Sequence, residues 1–122
     1  EGETAEDYCE AIAAIGIDTG HARVRDLAKF MGVSHVTVTR IIARLCREGL
    51  VTTEPYRPIF LTPEGRRIAE RTKRRHETVL NFLVAIGVPA KQAAADAEGI
   101  EHHVSEATIR AFKQITDRGG PV

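Results

Sequence analysis

Carboxylate and imidazole side chains recur in this sequence at spacings that suit metal ligands. Asp7 and Glu10 lie three residues apart, so a helix would present both carboxylates on one face. Glu98, Glu101 and His102 follow an i, i+3, i+4 pattern, which again shares one helix face. Oxygen and nitrogen donors of this kind suit a hard or borderline divalent cation. Solvated helices are also rich in glutamate, so from spacing alone the cluster is either a metal site or an ordinary surface.

A further histidine, His76, lies midway along a predicted long helix. Its imidazole is a candidate nitrogen ligand. It also shares a helical stripe with Val79 and Leu83, so a packed core histidine is the alternative. His103 is rotated by about 100° from His102 on a helix and is therefore left out of the candidate site.

A second pattern, in residues 24–47, indicates nucleic-acid binding. Two short amphipathic helices are predicted there, separated by Gly32, which can adopt a left-handed turn without steric cost. Ala28 is small enough for the two helices to cross closely, while Val38 and Ile41 face the core. This spacing, followed by a hairpin, predicts a winged helix-turn-helix, and the alternative is a plain helical hairpin.

The second of these helices is the predicted recognition helix, whose N-terminal part would meet base edges. Arg40 is the best candidate for a guanine contact, because guanidinium is a bidentate donor, and Val36 suits a thymine methyl group. Ser34, Thr37, Arg44 and Arg57 suit phosphate contacts. His35 is equally interpreted as a solvent-exposed residue of the first turn. The predicted DNA-binding residues are Ser34, His35, Val36, Thr37, Thr39, Arg40, Arg44 and Arg57.

Helix caps and turn residues predict the elements that hold these side chains in the first half of the chain. Thr4 is the predicted N-cap of a first helix, which ends within residues 16–20. Ser34 is the predicted N-cap of the recognition helix. Residues 50–53 and 59–61 are prone to form strands on either side of a turn-rich stretch, and together they predict a short hairpin.

Three more helices are predicted in the second half of the chain. Thr62 is the predicted N-cap of the first, and Pro63 occupies its first helical position. Pro89 opens the next helix, which is rich in alanine. The predicted bounds are 63–86 with Gly87 as C-cap, 89–103, and 105 to the ending Gly119-Gly120-Pro121.

Composition limits the class of protein. The chain has 122 residues, of which 43% are hydrophobic and 28% charged, so a folded domain is expected rather than disorder. The net charge is zero, but residues 21–75 carry thirteen Lys and Arg against five acidic residues, while residues 1–20 carry six acidic residues and no Lys or Arg. A basic middle segment indicates a polyanionic partner. Two cysteines do not make a disulfide framework, no stretch predicts a membrane span, and a cytoplasmic location is expected.

Several short segments together resemble the diphtheria toxin repressor family of metal-dependent transcriptional regulators, and in particular its manganese-responsive branch. The resemblance spans about residues 5–118. It implies a dimeric winged-helix DNA-binding protein in which a metal bridges the DNA-binding part and the dimerisation helices. The matching segments are Glu6-Asp7-Tyr8-x-Glu10, Ala22-Arg23-Val24, Phe60-Leu61-Thr62-x-Glu64-Gly65, Arg75-His76, Asn81-Phe82-Leu83 and Ala97-Glu98-Gly99-Ile100-Glu101-His102-His103.

The resemblance also implies a ligand set. The iron-sensing branch has sulfur ligands where this chain has Asp7 and Glu98, so the resemblance implies Mn²⁺, with Fe²⁺ as the less favoured ion. Six ligands exceed what one ion takes from a protein, which leaves room for two ions per subunit. The implied ligands are Asp7, Glu10, His76, Glu98, Glu101 and His102.

We therefore expect a mainly α-helical protein, with a winged helix-turn-helix DNA-binding domain in residues 1–74 and a helical metal-binding and dimerisation domain in residues 75–122. The expected function is manganese-dependent regulation of transcription, as a repressor of manganese-uptake genes. The expected partners are double-stranded operator DNA and a second copy of the chain, with no membrane. The alternatives are an Fe²⁺-responsive repressor of the same family and a winged-helix regulator whose acidic cluster is incidental.

Two further classes are disfavoured. A metal-dependent hydrolase would use a glutamate beside the metal as a base, but the Glu98-x-x-Glu101-His102 order is not the His-Glu-x-x-His pattern, and no nucleophile or oxyanion motif is present. We therefore expect no enzymatic activity. A scaffold that only dimerises would leave the basic segment 21–75 without a role.

Overall fold

The computed structural model describes residues 2–119 as a mainly α-helical protein, which confirms the predicted class. The chain divides between Glu70 and Arg71 into two compact units, and each unit is described by itself. Gly120 and Pro121, predicted to help end the last helix, lie outside the described residues. The elements are α1 (Glu3–Thr19), α2 (Val24–Met31), α3 (His35–Arg47), β1 (Val51–Thr52), β2 (Phe60–Leu61), α4 (Pro63–Ala85), α5 (Ala90–Ile100) and α6 (Glu106–Asp117).

The helix-turn-helix of the first unit forms as predicted. Gly32 ends α2 in the left-handed conformation, with φ 69°, and its N–H donates to the Ala28 carbonyl at 3.0 Å. Ser34 then caps α3, because its hydroxyl accepts a hydrogen bond from the Thr37 N–H at 3.1 Å. Ala28 and Val38 are both buried, so the small residue and the core-facing residue are where the spacing placed them.

The wing is a short antiparallel hairpin. Val51 pairs with Leu61 and Thr52 with Phe60, and the Ile59 N–H donates to the Ala22 carbonyl at 2.8 Å. The strands pair over two residues each, less than the predicted 50–53 and 59–61. Both ends of the intervening 55–58 stretch are prolines, which cannot donate to a ladder.

The first helix is longer at its start than predicted, and the assignment of Thr4 as its N-cap is wrong. α1 begins at Glu3, and its cap position, Gly2, makes no side-chain hydrogen bond. Glu3 and Glu6 lie in the first turn, where their negative charges interact favourably with the helix dipole without a capping side chain. α1 continues through Gly16 and ends at Gly20, which has φ 92°.

The start of α4 is fixed by an unusually close approach to the strand region. Thr62 caps the helix as predicted, because its hydroxyl accepts from the Gly65 N–H at 3.1 Å and donates to the Gly49 carbonyl at 2.7 Å. A Cβ atom on Gly65 would lie 2.1 Å from the Leu50 carbonyl oxygen, which belongs to the backbone. Glycine is therefore required at position 65 by contact rather than by a special φ.

We expect Gly65→Ala to lower the free energy of unfolding by about 1–3 kcal/mol, the usual cost of forcing an extra methyl group into a packed site. The matched control is Gly16→Ala, which lies inside α1 with no neighbouring atom within 4 Å of the added Cβ. That change should instead stabilise the helix by about 0.5–1 kcal/mol. Chemical denaturation followed by circular dichroism measures both, and equal stability of the two variants would contradict the steric account.

The second unit has its own small core. Val79, Ala97 and Ile109 are buried, and the rings of Phe82 and Phe112 stack with centroids 4.1 Å apart. These contacts join α4, α5 and α6 within the unit. Among residues 2–119, no helix combines the length and apolar character that crossing a bilayer would require.

The fifth helix is shorter than predicted. α5 ends at Ile100 instead of reaching His103. The N–H groups of His102 and His103 bond to carbonyls three residues earlier, at 3.3 and 3.0 Å, which is the tighter pattern with which helices often end. Ser105 then caps α6 by accepting from the Thr108 N–H, and the helix begins at Glu106, close to its predicted start at residue 105.

Candidate metal centre and nucleic-acid interface

Four of the six predicted ligands meet around one carboxylate in the second unit. His76 Nδ1 lies 2.6 Å from Glu101 Oε1 and 3.6 Å from Glu98 Oε2. One donor atom from each of these three residues lies within 4.8 Å of the others. His102 Nε2 lies 3.6 Å from the other oxygen, Glu101 Oε2. The arrangement supplies only oxygen and nitrogen donors.

α4 supplies His76, and the end of α5 with the turn that follows it supplies the other three side chains. His76 lies within α4 and Glu98 within the last turn of α5. Glu101 is the residue that follows α5, and His102 lies in the turn after it. The tight end of the helix keeps Glu101 and His102 near Glu98, although neither is a helical residue.

The Glu101 carboxyl is strongly perturbed by its burial. Its side chain is 1% exposed, and this burial raises its pKa to about 7, although the hydrogen bond and charge of His76 act in the opposite direction. Among residues 2–119, Glu101 Oε2 has no hydrogen-bond partner although it is buried. A buried carboxylate with an unsatisfied oxygen is costly alone, so these residues fit a bound cation.

We expect the metal-free protein to lose stability as the pH rises from about 4.5 to about 7. The Glu101 carboxyl has an ordinary pKa of 4.5 when unfolded and about 7 when folded, so the folded state binds more protons in this interval. The free energy of unfolding must then fall with rising pH. Denaturation in excess chelator at several pH values measures the slope. Glu101→Gln cannot titrate and should reduce this slope, whereas an unchanged slope would show that Glu101 does not cause it.

The remaining two predicted ligands, Asp7 and Glu10, lie on α1 in the first unit. Both are half-buried and one helical turn apart. Cys9, between them in sequence, belongs to the core of that unit, and burial raises the pKa of its thiol to about 11. The thiol is therefore protonated at neutral pH and is a poor metal ligand. The ligand roles of Asp7 and Glu10 stay predictions.

The candidate DNA-binding surface is the N-terminal half of α3 together with the wing. Val36 is 72% exposed, although it is apolar, which suits a contact with a base edge. Thr37 and Arg44 are half-buried. The Ser34 hydroxyl both caps α3 and donates to Thr37 Oγ1 at 3.0 Å. The exposed members of the predicted set are Ser34, His35, Val36, Thr39, Arg40 and Arg57.

The arginines of this surface differ in their ion pairs. Arg44 Nε lies 3.5 Å from Glu48 on the same helix, and Arg57 Nε lies 3.4 Å from Glu54 on the wing. Within residues 2–119, Arg40 has no such acidic partner. Of Arg40, Arg44 and Arg57, Arg40 is therefore the one whose guanidinium group can make a bidentate contact without first breaking an ion pair.

Tyr56 was not among the predicted DNA-binding residues, although it lies at the tip of the wing beside Arg57. Tyr56 is 99% exposed and has φ 65°, an uncommon conformation for a residue with a side chain. The available signal was an aromatic residue inside the turn-rich 55–58 stretch, where strands cannot bury it. We add Tyr56 to the candidate interface.

Comparison with known proteins also divides the chain into two parts, with a boundary near residue 60. Residues 2–59 match the model of the iron dependent repressor N-terminal DNA binding domain, and residues 62–118 match that of the iron dependent repressor metal binding and dimerisation domain. Over 118 residues the chain is 43% identical to "Transcriptional regulator MntR" of Salmonella typhimurium, which covers 97% of this chain and 75% of that protein. The chain belongs to the iron-dependent repressor family.

Other members of the family support this assignment. The "HTH-type transcriptional regulator MntR" of Geobacillus kaustophilus is 41% identical over 100 residues, covering 82% of this chain and 71% of that protein. A solved "Manganese-dependent transcriptional repressor complex with manganese" superposes with a TM-score of 0.84 at 30% identity, covering 93% of this chain and 52% of that one. The chain thus spans about half the length of that structure. The resemblance inferred from the sequence is confirmed.

Proposed function

We propose that this iron-dependent repressor family member is a manganese-dependent transcriptional repressor that binds operator DNA as a homodimer. The observation that carries the proposal is the carboxylate and imidazole group around Glu101, whose buried Oε2 lacks a hydrogen-bond partner within residues 2–119. The solved manganese-dependent transcriptional repressor complex with manganese, to which this chain is 30% identical, supports the choice of ion.

The donor chemistry favours manganese. Carboxylate oxygens suit Mn²⁺, whereas sulfur ligands suit softer ions, and both Asp7 and Glu98 offer oxygen. The ligands that we propose are the six predicted residues, Asp7, Glu10, His76, Glu98, Glu101 and His102. Six donors suffice for two ions per subunit that share carboxylates.

The chain's own charges explain why DNA binding would depend on the ion. Burial is the largest cause of the raised pKa of Glu101, and the nearby Glu98 carboxylate raises that pKa further by repulsion. These residues would hold Mn²⁺, whose positive charge would favour the ionised form of the Glu101 carboxyl. The two recognition helices of a dimer must keep a fixed spacing to read half-sites, so an ordered metal-loaded state binds operator DNA better. The coupling is reciprocal, so DNA also tightens metal binding.

The division of labour that we propose follows the predicted boundary, with DNA binding in residues 1–74 and metal binding and dimerisation in residues 75–122. The regulated genes would be those for manganese uptake, which a repressor activated by Mn²⁺ shuts off when the ion is plentiful. The protein would act in the cytoplasm, where its operator is found, and as a regulator rather than an enzyme.

The test is binding of a fluorescent operator duplex, taken from upstream of a manganese-uptake gene, during titration with Mn²⁺, Fe²⁺ or Zn²⁺ under anaerobic conditions. We expect Mn²⁺ to raise DNA affinity by about 5–150-fold, the usual range for coupling between two sites. Excess chelator should reverse the gain. Binding that persists unchanged in chelator would make the acidic cluster incidental, and activation by Fe²⁺ but not Mn²⁺ would favour the iron-responsive alternative.

A further inference from the structure

The guanidinium of Arg75, the residue before His76, donates three hydrogen bonds to residues at the end of α5, in the following turn and at the start of α6. Its Nε donates to the Glu101 carbonyl at 3.0 Å, and one terminal nitrogen donates to the Val104 carbonyl at 2.5 Å. The other terminal nitrogen donates to Glu106 Oε2 at 2.8 Å. The Arg75 side chain is only 13% exposed. One guanidinium therefore ties α4 to the end of α5, the turn and the start of α6.

The tied segment lies at and beyond the end of α5, where Glu101 keeps one helical hydrogen bond, from its N–H to the Ala97 carbonyl at 3.1 Å. Glu98 is fixed by the hydrogen bonds of α5, but Glu101 and His102 lie after its last helical residue. Arg75 bonds to the backbone of Glu101, while the adjacent His76 contacts the side chain of the same residue at 2.6 Å. Two consecutive residues of α4 thus locate both the backbone and the carboxylate of Glu101.

We propose that Arg75 is a positioning residue for the metal centre, which holds the Glu101–His102 segment in the arrangement that binds the cation without touching the cation itself. The inference rests on the proposed function, because it assumes that these residues bind Mn²⁺. A planar guanidinium with several donors in a fixed fork suits this task, whereas the ammonium group of lysine is a single point charge.

The direction in which Mn²⁺ affinity changes when Arg75 is removed distinguishes a positioning role from a purely electrostatic one. Arg75 carries a positive charge close to the cluster, so its removal would relieve repulsion and tighten cation binding if charge alone mattered. Positioning predicts the opposite result, because the released turn would scatter the ligand atoms of Glu101 and His102. The two explanations therefore give opposite changes in Mn²⁺ affinity.

The experiment measures Mn²⁺ binding to the full chain by isothermal titration, together with the electron paramagnetic resonance spectrum of bound Mn²⁺. We expect Arg75→Ala to weaken Mn²⁺ binding by about 10–100-fold, the range for residues that orient metal ligands. Arg75→Lys keeps the positive charge but lacks the planar guanidinium, and it should lose less Mn²⁺ affinity than Arg75→Ala. In both variants the spectrum should change, since it reports the arrangement of ligands and not the stability of the fold.

Two control variants isolate the contacts. Arg74→Ala removes the same charge from the same helix at an exposed position and should leave Mn²⁺ affinity nearly unchanged. Glu106→Gln removes only the negative charge of the contact at the solvent side, where the glutamate is 61% exposed, so its effect should be small. Thermal unfolding in chelator shows which variants are folded.

Each outcome decides the inference. Weakened binding in folded Arg75→Ala or Arg75→Lys, with an altered spectrum and an unaffected Arg74→Ala, supports positioning. Equal or tighter binding, or losses of equal size for Arg74→Ala, overturns it. If Arg75→Ala does not fold, the folded Arg75→Lys decides in the same way. If the unmodified chain binds no Mn²⁺, the proposed function fails, and this result differs from a failure of the Arg75 variants alone.

Discussion

Glu98→Ala is expected to abolish activation by manganese while leaving the protein folded. Glu98 Oε2 lies 3.6 Å from His76 Nδ1, within the group of candidate donors, so its loss removes a ligand from the proposed centre. The side chain is 64% exposed, so its truncation leaves no cavity. Changes in residues that only orient ligands cost about 10–100-fold in metal affinity, and loss of a ligand should cost more. Isothermal titration with Mn²⁺ and operator binding measure the effect.

Asp96→Ala is the matched control for Glu98→Ala. Asp96 lies on the same helix, is exposed and carries the same charge, but it lies outside the donor groups found within residues 2–119. It should keep the Mn²⁺ response. If Glu98→Ala and Asp96→Ala responded equally to Mn²⁺, Glu98 would not be a ligand of the metal centre. His102→Ala tests a second ligand less cleanly, because the His102 side chain is only 2% exposed and its loss also creates a cavity.

Arg40→Ala is expected to cost about 1–3 kcal/mol in binding to the specific operator and to relax discrimination at one base pair. Arg40 is exposed on α3, and the structure gives it no acidic partner within residues 2–119, so its fork is free to bind a base edge. Affinities for a panel of operators with single base changes, measured with saturating Mn²⁺, reveal the lost discrimination.

Arg57→Ala provides the contrast to Arg40→Ala. Arg57 lies on the wing and suits a phosphate contact, so its loss should weaken specific and non-specific sites alike. The slope of log affinity against log salt concentration should fall by about 0.9, the value for one phosphate contact. If both variants lose affinity uniformly across the operator panel, Arg40 does not read sequence.

The elements that sequence predicted well are those fixed by local contacts. Gly32 ends α2, and Ser34 caps α3 by accepting a hydrogen bond from an N–H three residues away. Thr62 does the same for α4. Such contacts involve neighbours along the chain, so residue type and spacing contain the information.

Features that depend on distant contacts could not be predicted in this way. Glu101 and His76 are 25 residues apart, so the ligand positions could be proposed but not the 2.6 Å contact between them. Because α5 ends at Ile100, Glu101 and His102 follow the helix in which the sequence periodicity had predicted them to lie. Arg75 matched the family pattern, but the contacts to a turn 26–31 residues away that define its role exist only in the folded unit.

The acidic partners of the arginines that we predict to contact phosphates bear on how such a DNA-binding protein would search a genome. Arg44 and Arg57 are paired with Glu48 and Glu54 before any DNA is present. A phosphate must displace these carboxylates, so each encounter with arbitrary DNA gains less than the arginine count suggests. Most of a cell's DNA is competing sequence, and weaker retention there leaves more molecules free to sample the operator. The paired glutamates would thus favour rapid dissociation from non-specific DNA, at the cost of a lower affinity for DNA in general.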